Sequence, residues 1–238
     1  MNEFSRTERL IGTNKQQQLA DTTIAVFGVG GVGSHCIEAL ARCGIGHLVL
    51  IDNDKVSLTN INRQSIAVHS TVGLLKTQVM KERLFDINPG ILVDTREIFV
   101  LPDNLQELMK TIVPVDYIID AVDTVAAKLA IVRYAQDQGI PLISSMGTGN
   151  KFHGELFTIT DIFQTSVCPL CRVMRRELKK MGVHQLKVLY SQEMPVTPVL
   201  SSEETTDRRQ IPGSISFVPP VAGLLIAGEV VRDLLRLP

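Results

Sequence analysis

Ile24-Ala25-Val26-Phe27-Gly28-Val29-Gly30-Gly31-Val32-Gly33-Ser34, with Ile51-Asp52 two dozen residues on, is the stretch from which the architecture follows. Four apolar residues make a buried strand. The glycines permit a tight turn whose backbone can approach phosphate, and Ser34 to Arg42 reads as the helix behind it. The first turn of such a helix carries unpaired N–H groups and the positive end of the peptide dipole, which together suit an anion. Gly28, Gly30 and Gly33 also meet the dinucleotide fingerprint, so the glycines alone leave NAD, FAD and ATP open.

On the N-terminal side, Phe4 to Ala20 is polar with scattered apolar anchors, which predicts a helical arm carrying Arg6 and Arg9. On the C-terminal side, His47 to Ile51 is a second strand closed by Asp52, completing a right-handed β-α-β unit. Asn53 to Ser65 is then a polar loop too long for a plain connection, and such loops usually carry function. A helix over Gly73 to Phe85, a strand over Ile91 to Val100 and a short helix over Asn104 to Ile112 follow. Val115 to Val122 is a strand, Asp123-Thr124 caps a helix reaching about Gln138, and Pro141 to Ser145 is a strand. This alternation predicts an α/β fold, a doubly wound, mostly parallel sheet of Rossmann-like type. The strands ending at Gly28 and near Asp123 would flank the switch point, so that Asp123 faces the glycine loop.

Beyond Gly147 the texture changes to an α+β extension. Glu155 to Thr160 and Leu186 to Tyr190 read as strands, and Cys168 to Lys180 as a basic helix. Pro195 to Arg209 is a loop too poor in apolar residues to order itself. Ser214 to Val218 is predicted as a last strand, and Ala222 to Leu235 as a terminal helix. No linker interrupts the chain, so residues 1–238 are expected to form one domain, with a nucleotide-binding half over about 1–150 and a substrate-facing half over about 151–238.

With 45% hydrophobic residues in 238, the chain can bury a substantial core. Its 24 basic and 25 acidic side chains nearly cancel, so no whole-molecule field draws it to nucleic acid or membrane, and any basic surface is local. Charges within Met1 to Arg9 exclude a signal-peptide core there, and no apolar run reaches about 18 residues, which implies a cytoplasmic protein without a membrane span. Four cysteines are too few for a disulfide scaffold and are expected to be reduced thiols.

Taken jointly, Gly28-Val29-Gly30-Gly31-Val32-Gly33-Ser34, Asp52-Asn53-Asp54, Asn60-Ile61-Asn62-Arg63-Gln64, Lys76 and Asp120-Ala121-Val122-Asp123 resemble the ubiquitin-activating-enzyme-like (ThiF/MoeB-type) superfamily. Its members adenylate carboxylates. An attack on the α-phosphate of ATP needs cations to spread developing charge and a metal to position the pyrophosphate; a nicotinamide site has no such demand. The resemblance implies that Gly28, Gly30, Gly31, Gly33 and Ser34 approach the nucleotide and that Asp52 accepts from its ribose. It implies further that Asp54 belongs to the nucleotide site, that Asn60, Arg63 and Lys76 contact the phosphates, and that Asp123 holds Mg²⁺ or steers the α-phosphate. Arg6 resembles the arginine that a partner subunit inserts into its neighbour's ATP site, which implies a homodimer. Each residue keeps a plainer reading: a ribose ligand for NAD at Asp52, a helix cap at Asp123, solvated surface cations at Arg6, Arg63 and Lys76.

Phe4-Ser5-Arg6-Thr7, Thr160 to Ser166, Pro169-Leu170, Arg172-Val173-Met174-Arg175-Arg176 and Val188 to Glu193 resemble the tRNA threonylcarbamoyladenosine dehydratase branch. That branch uses ATP to activate the carboxylate of a threonylcarbamoyl group on a tRNA adenosine, which then cyclises with loss of water. Arg172, Arg175, Arg176 and Lys179 fall largely on one helical face, suited to a phosphate backbone or simply to solvent, and Arg208 and Arg209 would extend that surface. The rival substrate is the C-terminal glycine of a ubiquitin-like sulfur-carrier protein; a non-catalytic nucleotide-sensing module is the rival outside enzymology. Relatives on the sulfur-carrier side bind zinc through two Cys-x-x-Cys pairs, whereas Cys168-Pro169-Leu170-Cys171 stands alone and Cys36 and Cys43 read as core. A structural zinc wants four ligands, so reduced thiols or a redox pair fit better. A monovalent cation is implied at family level without a residue to hold it. His153 is the one histidine near the predicted mouth, and no histidine is assigned a catalytic role.

Overall fold

The computed structural model describes residues 2–199 and 212–237. In chain order these form α1 (Ser5–Ile11), α2 (Thr13–Ala20), β1 (Thr23–Phe27), α3 (Gly33–Cys43), β2 (His47–Ile51), α4 (Lys76–Ile87), β3 (Leu92–Arg96) and α5 (Leu105–Lys110). They continue with β4 (Tyr117–Asp120), α6 (Val125–Gln138), β5 (Leu142–Ser145), β6 (Phe157–Asp161), α7 (Pro169–Lys180), β7 (Lys187–Ser191) and α8 (Val218–Leu235). The strands lie in one seven-stranded sheet in the order β3-β2-β1-β4-β5-β7-β6, parallel throughout except where β6 runs against β7.

Side chains alternate across the pleat, and that period builds two cores from each central strand. Ile24 and Val26 of β1, Leu48 and Leu50 of β2, and Tyr117 and Ile119 of β4 face α3, α4 and α8. Ala25, Phe27, Val49, Ile51 and Ile118 face α5 and α6 on the other side. Helix α7 extends that second layer, burying Cys171, Met174 and Leu178 against Val188 and Tyr190 of β7. The doubly wound, mostly parallel sheet is as the sequence predicts. Strand order reverses between β1 and β4, as that reading requires.

Four elements differ from expectation. The N-terminal arm is two short helices, broken at Gly12 in a positive-φ conformation. Helix α4 starts three residues late, because Gly73 takes φ +90 and Leu75 is extended, bridging to Lys55. The strand predicted over 91–100 stops at Arg96, where its pairing with β2 ends. Ser214 to Val218 is no strand: 214 and 215 are irregular and α8 begins at Val218 with proline in its first turn. Pro219 and Pro220 would each withhold an N–H from a ladder, but a helix's first turn needs no such donor. Most of the polar loop predicted over 195–209, Arg208 and Arg209 included, lies outside the described residues. No described helix is long and apolar enough to cross a membrane.

Candidate active site

The glycine turn is shaped by how closely three backbone segments approach. Gly28 sits at φ +95, its N–H bonded to Ile51 O at 2.8 Å, and a Cβ there would lie 2.7 Å from Ala121 O. A Cβ on Gly33 would fall 1.9 Å from Gly28 O, so only glycine lets α3 start against the end of β1. Asp52 fixes the turn from the side: one carboxylate oxygen accepts the Val29 N–H at 2.7 Å and the other the Asp54 N–H at 2.8 Å. The strand end that sequence reasoning assigned to the ribose thus also anchors the loop beside it.

Around this turn a cleft of about 460 Å³ opens at the C-terminal ends of β1, β2 and β4. Gly28, Gly30, Gly31, Asp52 and Asp54 line it, and Asn60, Arg63, Lys76 and Asp123 join them from three separate segments. Lys76, the first residue of α4, is buried with its Nζ 2.6 Å from Asp54 Oδ2. Arg63 is half-buried, donating through Nη1 to Thr59 O at 2.9 Å and Asn62 Oδ1 at 2.8 Å, and burial pushes its pKa down. Asn60 accepts the Ser57 N–H at 3.1 Å. Asp123 is exposed and touches the Thr124 hydroxyl at 3.3 Å. The N-cap of α6 is Thr124, without a side-chain cap bond, so the reading of Asp123 as a helix cap is corrected.

Three expected site residues lie elsewhere. Gly33 is buried behind the turn. Ser34 is fully buried, its Oγ accepting the Ser65 N–H at 3.2 Å, and so ties α3 to the polar loop. Arg6 is exposed on α1, at the far end of the sheet, where Phe4 packs beside Gly44 at the end of α3. Helix α3, about 16 Å long at 1.5 Å per residue, separates Arg6 from its own chain's cleft.

Sequence reasoning assigned no role to three features. Gln64 lines the cleft nearly buried, and its Oε1 has no partner. Ile98 and Phe99, past the end of β3, form a half-exposed apolar wall. Lys128 on α6 is fully buried beneath the floor, with Nζ 3.1 Å from Asp120 Oδ2, 2.7 Å from Ser145 O and 3.3 Å from Ser144 Oγ. Its charge joins the end of β4, which leads to Asp123, to the end of β5, which leads to Thr148 at the cleft wall. A lysine eight residues after Asp120, following two alanines in the first turn of a helix, is the one signal that could have found it.

The residues present suit a nucleoside triphosphate. Glycines that a Cβ would obstruct, buried Lys76, half-buried Arg63 and the unpartnered Gln64 oxygen make a polar, cationic cradle closed on one side by an apolar wall. Among the described residues no group of three or more His, Cys, Asp or Glu could hold a metal ion by itself. Mg²⁺ takes one or two carboxylates and completes its shell with phosphate oxygens and water, and Asp123 lines the cleft as one such carboxylate.

On α7, Arg172, Arg176 and Lys179 are exposed, whereas Arg175 turns inward to Thr165, donating to its carbonyl at 3.0 Å and to its hydroxyl. The four-residue basic face is corrected to three of its members, because Arg175 is committed to the loop before the helix. Cys36 and Cys43 sit in and against the main core, as expected. His153 is exposed and paired with Glu155 at 2.7 Å, outside the cleft lining.

Fold and cleft together define a nucleotide-binding α/β protein with its site at the topological switch point. The ThiF family model matches residues 4–238. The chain is 40% identical over 245 residues to the tRNA threonylcarbamoyladenosine dehydratase of Bacillus subtilis, covering 99% of this chain and 96% of that protein. It is 43% identical over 176 residues to the Escherichia coli protein of the same name, covering 74% and 65%. The crystal structure of E. coli tRNA N6-threonylcarbamoyladenosine dehydratase in complex with ATP matches with a TM-score of 0.89 at 35% identity, over 98% of this chain and 94% of that one. The chain belongs to the ThiF family, in its tRNA threonylcarbamoyladenosine dehydratase branch.

Proposed function

We propose that this chain is an ATP-dependent tRNA threonylcarbamoyladenosine dehydratase, which adenylates the carboxylate of the threonylcarbamoyl group and lets the side chain close on itself with loss of water. The observation that carries the proposal is the convergence of Asn60, Arg63, Lys76 and Asp123 on the glycine cleft, in a chain similar along its whole length to a dehydratase.

A carboxylate oxygen is a poor leaving group, and adenylation makes AMP the leaving group. Nitrogen and activated carbonyl then sit on one nucleoside, so closure needs no second encounter. Asp52 holds the glycine turn in place, with its spare lone pairs available to ribose hydroxyls. Lys76 and Arg63 spread negative charge at the phosphates, and Asp123 holds Mg²⁺ or orients the α-phosphate. Residues of about 1–150 bind the nucleotide, and those of about 151–238 face the tRNA, with Arg172, Arg176 and Lys179 on its backbone. Arg6, too far from its own cleft, serves a partner's cleft in a homodimer. The enzyme works in the cytoplasm, where its substrate is.

Incubation with ATP, Mg²⁺ and modified tRNA, followed by digestion to nucleosides and mass spectrometry, should reveal loss of about 18 Da, one water, from threonylcarbamoyladenosine. Unchanged nucleosides, together with adenylation of a sulfur-carrier protein, would overturn the assignment. The absence of a second Cys-x-x-Cys pair also speaks against a sulfur-carrier substrate.

A further inference from the structure

Asn62 and Asn150 are not explained by the reaction above, yet between them they hold residues 212–215 from two sides of the cleft. On the phosphate side, Asn62 Nδ2 donates to Ser214 O at 3.0 Å, while its Oδ1 accepts from Arg63 Nη1 at 2.8 Å. The same Nη1 donates to Thr59 O at 2.9 Å, and among the described residues Arg63 Nε and Nη2 have no acceptor. A guanidinium is planar and rigid, so whatever holds Nη1 sets where the other nitrogens point. On the β5 side, Asn150 stands two residues beyond Thr148 of the cleft wall, at φ +58, a left-handed conformation that asparagine accepts better than most side chains. There its Oδ1 accepts the Gly213 N–H at 2.7 Å, its own N–H donates to Gly213 O at 2.8 Å and its carbonyl accepts the Val196 N–H at 2.9 Å. Pro212 sits so close to Gly149 that a Cβ there would lie 2.8 Å from Pro212 Cβ. Helix α8 begins three residues after Ile215, and its Pro219 lines the cleft beside Gly31, where a Cβ would meet Pro219 Cβ at 3.0 Å and Arg63 Cγ at 3.4 Å.

We propose that Asn62 is a positioning residue that makes the aim of Arg63 depend on the seating of residues 212–215, which Asn150 fixes from the β5 side. Of the two phosphate-side cations, Lys76 is answered within its own half of the chain by Asp54, whereas the contacts of Arg63 run through Asn62 to the substrate-facing half. Asn62 Oδ1 restrains the guanidinium only while Nδ2 is itself held by Ser214. With Ser214 displaced, the Asn62 amide is free to turn, and Arg63 keeps Thr59 O alone. A cation set in direction beforehand stabilises charge developing at the α-phosphate, and a small misplacement forfeits much of that. Binding of ATP before the reaction is less sensitive to direction, because Arg63 keeps its charge. The loss therefore falls on kcat rather than on KM. Neither asparagine touches the reacting atoms; both act through Arg63.

The seating is tested independently of the dehydratase reading, on which only the turnover effect rests. Deuterium exchange of the full chain, read by mass spectrometry on peptides covering residues 212–217, compares the parent with Asn62→Ala. Exchange there should quicken about three- to tenfold, the size of one lost hydrogen bond, and unchanged exchange overturns the tie. With ATP, Mg²⁺ and tRNA carrying threonylcarbamoyladenosine, Asn62→Ala should lower kcat about tenfold while KM for ATP stays within about twofold. Asn150→Gly accepts the left-handed backbone but loses the Oδ1 acceptor, and should lower kcat in the same way. Asn150→Asp keeps that acceptor and should retain the parent rate. In the doubly substituted chain the loss should be smaller than the product of the single losses, because one segment carries both effects. An unchanged kcat in Asn62→Ala, a rise in KM alone, losses that simply multiply, or an Asn150→Asp chain as slow as Asn150→Gly overturns the positioning role. A parent chain inactive on this tRNA sinks the dehydratase reading, and the exchange result then decides the tie by itself.

Discussion

Asp123 and Lys128 both belong to the floor between β4 and β5, yet they should fail in opposite ways when mutated. Asp123 is exposed and touches only Thr124, so Asp123→Ala should leave unfolding free energy within about 0.5 kcal/mol of the parent. Its turnover should fall about 100-fold or more, the scale on which a group placed at developing charge acts. Single-turnover assays beside urea denaturation would check both, and retained turnover would remove Asp123 from the mechanism. Lys128 is fully buried against Asp120, and Lys128→Met leaves that carboxylate without its cation, at a cost of about 3–5 kcal/mol. Pairing Lys128→Met with Asp120→Asn should recover much of that stability; no recovery in urea titrations would show that the charge is not what the site needs. Residues of the first kind were legible in the sequence, because a carboxylate closing a strand opposite a glycine turn has few structural duties. Lys128 was not, because a lone lysine in a helix reads as solvated until the fold buries it.

Between elements, one close approach that the sequence does not announce joins α8 to α3. A Cβ on Gly223 would lie 2.4 Å from Val32 O, so α8 crosses the start of α3 with backbone nearly touching backbone. Gly223→Ala should cost about 1–3 kcal/mol, since the obstructing atom is backbone and cannot rotate away. Because Val32 ends the glycine turn, ATP affinity should fall as well, and calorimetry beside thermal unfolding would detect both changes. Helix α3 is also tied to α4 through Glu38, which accepts from Arg83 Nε at 2.7 Å and Arg42 Nη2 at 2.8 Å. Burial alone would raise the Glu38 pKa, but the two arginines outweigh it, and the net shift is downward from 4.5. A lowered folded pKa means the charged form stabilises the fold fully above the unfolded value, and this is lost as pH falls through the folded one. Glu38→Gln should therefore flatten the fall in stability below about pH 4.5 in acid-denaturation curves, with little change in slope above it. The strands were legible from their alternation and the helices from their punctuation. The last predicted strand failed because Ser214-Ile215-Ser216-Phe217-Val218 alternates like a strand, while the two prolines behind it sit in the first turn of a helix.

At the scale of the whole molecule, near-neutral charge hides one local basic face. Replacing Arg172, Arg176 and Lys179 with alanine should weaken tRNA binding and reduce its log–log salt dependence by about one for each phosphate no longer neutralised. Arg175→Ala should instead act on stability, because its guanidinium is bonded to Thr165. Filter-binding across a salt series separates the two. The dimer is tested by mixing: Arg6→Ala and Asp123→Ala chains, each inactive alone, should regain part of the activity together if Arg6 serves the other chain's cleft. No recovery from demonstrably mixed dimers would return Arg6 to its own surface. The placement of Arg6 on α1, a helix length away from the cleft its own chain builds, carries a further consequence for synthesis. If Arg6 serves a partner's cleft, a newly made chain stays silent until it meets another, so specific activity climbs with expression level and drops on dilution, while an excess of catalytically dead copies poisons the pool in proportion to their abundance.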